Sequence, residues 1–68
     1  MKKFSYKPLW KLMIDRDINN QQLMKRAKIS KSTFYKLKNS ENITTDILLR
    51  ICEVLDCDIA DIMKCEEE

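Results

Sequence analysis

Glycine is absent from all 68 positions, and proline occurs once, at Pro8. Sheets of short strands need tight turns built on dipeptides such as Asn-Gly or Gly-Asp, and none is present. Long segments of strict apolar–polar alternation are missing too, as are internal repeats and low-complexity runs. What remains is helix, and the expected class is all-α. A chain of this length is expected to form a single domain, residues 1–68, with no room for a catalytic domain beside a binding one.

Five helices are predicted from spacing and caps. The first starts near Pro8, where a missing N–H costs nothing, with Ser5 or Lys7 before it and Leu9, Leu12 and Met13 on its apolar face. Asn19 or Asn20 caps a short second helix that buries Leu23, Met24 and Ala27. Ile29, an isolated apolar residue in a polar turn, is expected to plug the core. Ser30 then caps a third helix, 31–38, with Phe34 and Leu37 facing inward. After the polar loop 39–42, Thr44 or Thr45 caps the longest helix, whose Leu48, Ile51, Cys52 and Leu55 form one stripe. A final helix over about 58–64 is predicted to bury Ile59 and Ile62, and the acidic end from about residue 64 to 68 is expected to fray.

A net charge of +2 conceals a strong asymmetry. Residues 1–38 carry eleven Lys or Arg against Asp15 and Asp17, whereas residues 39–68 carry Arg50 and Lys64 against nine acids. Between residues 20 and 38 there are six basic residues and no acid. A solvated surface normally mixes both signs, so this stretch points to a polyanionic partner.

Other classes fit poorly. There is no histidine, and Cys52, Cys57 and Cys65 form no C-x-x-C pair, so neither a metal site nor a disulfide framework is expected. The cysteines read as reduced thiols, with Cys52 a small buried hydrophobe. The carboxylates lack a paired arrangement, which argues against an enzyme, and no cofactor or small-molecule ligand is expected. No apolar run is long enough for a membrane span and no export segment is visible, so the expected location is cytoplasmic.

Two short helices joined by a tight turn, the second rich in Lys, Ser and Thr, are the elements of a helix-turn-helix. With Leu23, Ile29-Ser30, Ser32-Thr33, Phe34 and Leu37 in place, residues 20–38 resemble the Cro and lambda-repressor-like (XRE) family of DNA-binding domains. The stretch 45–57, TDILLRICEVLDC, looks like the family's fourth helix and the turn after it, and Ile59 and Ile62 match its fifth. The resemblance implies a compact five-helix lambda-repressor-like domain. Two residues depart from the pattern. Lys28 stands where the family usually has glycine, often at positive φ, and a lysine held there costs on the order of 1 kcal/mol. Met24 replaces a small alanine, which would space the two helices slightly further apart.

By resemblance the function is sequence-specific binding of double-stranded DNA by a transcriptional regulator, with the third helix in the major groove. Lys31, Ser32 and Lys36 would meet base edges, Thr33 a base or a phosphate, and Tyr35 the sugar-phosphate backbone. Phosphate contacts would come from Asn20, at a position usually held by glutamine, and from Lys38, Asn39, Asn42 and Thr45. Repression is the expected sign, and a homodimer the expected form, at least on DNA. Trp10 either packs over the core edge or joins Ile47, Val54 or Met63 in a subunit contact. The competing reading is a helical protein-interaction module of the same fold that leaves DNA alone.

Overall fold

The computed structural model describes residues 1–67. Strand β1 (Lys2–Ser5) leads into four helices, α1 (Lys7–Asp15), α2 (Asn20–Ala27), α3 (Lys31–Lys38) and α4 (Thr45–Leu55). One turn of 3-10 helix (Ile59–Asp61) and strand β2 (Lys64–Glu67) complete the chain. None of these helices is long and apolar enough to cross a membrane.

The helix starts follow from short polar side chains that take otherwise free N–H groups. Asn19, not Asn20, caps α2: its Oδ1 accepts from the Gln22 amide at 2.8 Å, while Gln22 Oε1 accepts from the Asn19 amide at 3.0 Å. Ser30 caps α3 and Thr44, not Thr45, caps α4. At the start of α1 it is Tyr6 that occupies the cap position, without a side-chain cap bond.

The helix ends show how a chain without glycine turns. Asp17, Lys28, Ser40 and Asp56 all adopt positive φ, between 50° and 57°, one after each of the four helices. Each time, the next residue's amide reaches back five residues: Ile18 to the Met13 carbonyl, Ile29 to Met24, Glu41 to Lys36 and Cys57 to Cys52, at 2.9–3.1 Å. This closure satisfies a carbonyl that the helix leaves free, and its conformation favours glycine because a Cβ crowds the following carbonyl. Lys28 therefore does sit in the left-handed region, at φ 57° and ψ 50°.

The core joins Leu9 and Met13 of α1, Leu23 and Ala27 of α2, Phe34 and Leu37 of α3, and Leu48, Ile51, Cys52 and Leu55 of α4. Ile29 fills the turn between α2 and α3 as expected, and Ile62 closes the bottom. Each buried Leu, Ile, Met or Phe contributes roughly 1.5–3 kcal/mol when removed from water. Tyr6, which the sequence reading left outside the core, is 2% exposed and donates its hydroxyl proton to the Glu41 carbonyl at 3.1 Å.

Three expectations are corrected. The fifth helix is a single 3-10 turn, closed by Asp58 and Asp61 capping each other, so the count of α-helices is four. Ile62 is buried, but Ile59 remains 41% exposed. The end expected to fray is a strand through Glu67; only Glu68 lies outside the described residues. It pairs antiparallel with β1, Lys2 opposite Glu67 and Lys3 opposite Glu66. Strands from opposite ends of the chain need no hairpin, which is why the lack of turn residues did not prevent a sheet. Opposite charges directly across the ladder favour this register.

Replacing Lys28 by glycine should relieve the left-handed strain and stabilise the protein by up to about 1 kcal/mol. Urea denaturation would register this as a higher midpoint at unchanged slope.

Candidate nucleic-acid interface

Helix α3 turns Phe34 and Leu37 into the core, where they are 3% and 0% exposed. With about 100° between successive residues, the opposite face is then centred between Ser32, Tyr35 and Lys36, with Lys31 at its border. All four are exposed, and Tyr35 is 54% exposed. Thr33 lies on the flank and is half-buried. Its amide donates to Ser30 Oγ at 3.2 Å, and its hydroxyl oxygen accepts from the Ser30 hydroxyl at 3.0 Å. Ser30 Oγ also lies 3.1 Å from Ser32 Oγ, so three hydroxyls cluster at the helix start.

Lys38 falls nearer the buried side, with its Nζ 5.6 Å from the centre of the Phe34 ring. The ring face attracts the ammonium, and Lys38 stays exposed at the edge of the core. Trp10 packs edge-on against the same ring, with centroids 5.8 Å apart. That contact places it at the core edge.

The remaining candidates frame α3. Asn20 is the first residue of α2 and is exposed; with Asn19 as the cap, its side chain has no capping duty. Asn39 terminates α3, its amide bonded to the Tyr35 carbonyl at 3.0 Å, and Asn42 is exposed in the following loop. Thr45 is the exposed first residue of α4, with Thr44 carrying the cap bond. Loop 39–44 is anchored from beneath by the Tyr6 hydroxyl.

Charges are partitioned by the fold. The N-terminal cations meet the C-terminal acids: the Met1 ammonium lies 3.7 Å from Glu67, and Lys7 and Lys64 each lie 3.6 Å from Glu66. Desolvation pushes the Glu66 carboxyl up, but Lys7 and Lys64 outweigh it and leave the group below its ordinary value. Arg16 donates to the Leu55 carbonyl at the end of α4, where a cation suits the helix dipole. By contrast Lys25, Arg26, Lys28, Lys31, Lys36 and Lys38 have no ion-pair partner among the described residues. Arg50, which sequence reasoning passed over, pairs with Asp46 at 2.9 Å and donates to the Lys28 carbonyl at 3.4 Å. It ties α4 to the turn between α2 and α3.

No group of three or more potential metal ligands gathers among the described residues. Cys52 is buried, Cys57 half-buried and Cys65 exposed, all as free thiols. Burial, and then the neighbouring Cys52, push the Cys57 thiol up to about 11, and burial also raises Cys52.

The chain belongs to the Cro/C1-type helix-turn-helix DNA-binding domain family, which residues 8–68 match. It is similar to the transcriptional regulator VanUg, whose crystal structure superposes with a TM-score of 0.94 at 46% sequence identity, over 98% of this chain and 89% of that one. No match is found among curated proteins.

Two outcomes are expected. Tyr6→Phe keeps the packing but loses the bond to the loop, and should cost about 1 kcal/mol in chemical denaturation. Brief alkylation of the native protein near pH 8 should add one adduct, at Cys65, because only a thiolate reacts and Cys57 is protonated there; peptide mass spectrometry locates it.

Proposed function

We propose that the protein is a sequence-specific regulator of transcription that binds double-stranded DNA with α3 in the major groove. Lys31, Ser32 and Lys36 read base edges, and Thr33 contributes from the flank, its hydroxyl already engaged by Ser30. Asn20, Tyr35, Lys38, Asn39, Asn42 and Thr45 hold phosphates on either side of the reading helix. The observation that carries this reading is the set of six cations in residues 20–38 without an ion pair among the described residues, beside a helix anchored by Phe34 and Leu37. A surface of one sign is unfavourable by itself, and a polyanion relieves it.

Membership in a DNA-binding family and likeness to a transcriptional regulator support the same reading. The protein acts in the cytoplasm and represses, since occupying a promoter is enough to block it. It binds as a homodimer on two half-sites related by two-fold symmetry, because one eight-residue helix reads few base pairs.

Affinity for duplex DNA at several salt concentrations tests the proposal. A steep decline on a log–log plot, equivalent to several released counterions, is expected. Lys31→Ala and Lys36→Ala should each weaken binding to a selected site on the order of tenfold or more while leaving the fold intact. Salt-independent binding, or unchanged affinity in both variants, would remove α3 from its assigned role.

A further inference from the structure

Two thiols, Cys52 and Cys57, have no part in DNA binding, and the fold sets one against the other. Helix α4 ends in a closure in which the Cys57 amide donates to the Cys52 carbonyl at 3.1 Å and the Asp56 amide to the Glu53 carbonyl at 3.4 Å. Asp56 makes the turn, at φ 50° and ψ 60°. A closure of this kind folds the residue after the turn back onto the residue five before it, and an apolar contact commonly fills that place. Here two thiols fill it, Cys52 buried and Cys57 half-buried, each close enough to shift the other's proton affinity.

Both cysteines line an apolar groove of about 800 Å³ along α4, with Phe4, Leu49 and Ile59 around it. The charged residues of its lining are Asp56 and Asp58, and neither lysine nor arginine is among them. No third ligand joins the two thiols among the described residues, so the pair lacks the donor set of a structural zinc site. The acids repel an anionic oxidant, whereas a small neutral peroxide meets no such barrier.

We propose that Cys52 and Cys57 form a redox modification site, joined in a disulfide within one chain by a neutral peroxide that enters through the groove. Cys57, the more accessible thiol, gives its proton to solvent, and its thiolate attacks one peroxide oxygen. The O–O bond breaks, and the departing hydroxide takes up the proton as water. The Cys52 sulfur, deprotonated in turn, displaces hydroxide from the sulfenic acid at Cys57, which forms the S–S bond and a second water. Two thiols are oxidised and one peroxide is reduced. Because the helix end already holds the two backbones together, the bridge needs side-chain rotation alone.

Burial sets the pace. The Cys57 thiol, pushed up to about 11, is protonated at neutral pH, so the first step is slow and quickens as pH rises. Brief contact with oxidant leaves the pair reduced; sustained contact closes it.

The test uses the full chain carrying Cys65→Ser, so that this pair alone remains, with hydrogen peroxide as the probe. Intact mass should show the loss of two hydrogen atoms per chain, and cleavage after Glu53 should leave two pieces joined until a thiol reductant is added. Between about pH 7 and pH 9 the rate should rise roughly tenfold per unit. The oxidised chain should unfold at a higher urea concentration than the reduced one, since the bridge restricts the unfolded chain without straining the folded one. Cys57→Ser on the same background should lose no hydrogen. Disulfide-linked dimers, oxygen added to either cysteine in place of hydrogen lost, a rate indifferent to pH, or a lowered urea midpoint would each overturn the assignment. None of these readouts involves DNA, so the site stands or falls apart from the proposed function.

Discussion

A helix of eight residues is not stable in water by itself, because nucleation costs more than so few hydrogen bonds return. Helix α3 exists because Phe34 and Leu37 are buried by the rest of the molecule, with Trp10 edge-on against Phe34 and Lys38 over its ring. The same two side chains determine which residues face outward. Lys31, Ser32, Tyr35 and Lys36 can meet a partner only because the opposite side of the helix is committed to the core. Presentation of the outer face and stability of the fold are one interaction seen from two sides.

Around that anchor the fold separates charges by use. The N-terminus and Lys7 are drawn to Glu67 and Glu66, while Arg16 closes the end of α4. Surface pairs of this kind are worth little individually. Together they hold Glu66 and Glu67 beside the start of the chain. The cations of α2 and α3 keep their full field for a polyanion, and the apolar groove beside α4 remains free of basic residues.

Four left-handed residues give this chain its turns. Asp17, Lys28, Ser40 and Asp56 each accept a conformation that glycine would adopt without strain. The cost is tolerated because each turn also closes a carbonyl of the preceding helix, and in three of the four the next residue is apolar and packs inward: Ile18, Ile29 and Cys57. At Lys28 the Arg50 guanidinium adds a further tie to the turn carbonyl.

Local chemistry alone determined the four α-helices, the inward faces of α3 and α4, the plug at Ile29 and the stretch without acids, because caps, helical spacing and charge sign are properties of neighbouring residues. The choice of Asn19 over Asn20 as cap, the flanking position of Lys38 and the engagement of Thr33 with Ser30 needed the folded backbone, since each turns on which way a side chain points. The pairing of β1 with β2, the burial of Tyr6 and the groove at Phe4, Leu49 and Ile59 were decided only by tertiary structure. Those features join residues tens of positions apart, and no periodicity within a short window encodes which distant segments will meet.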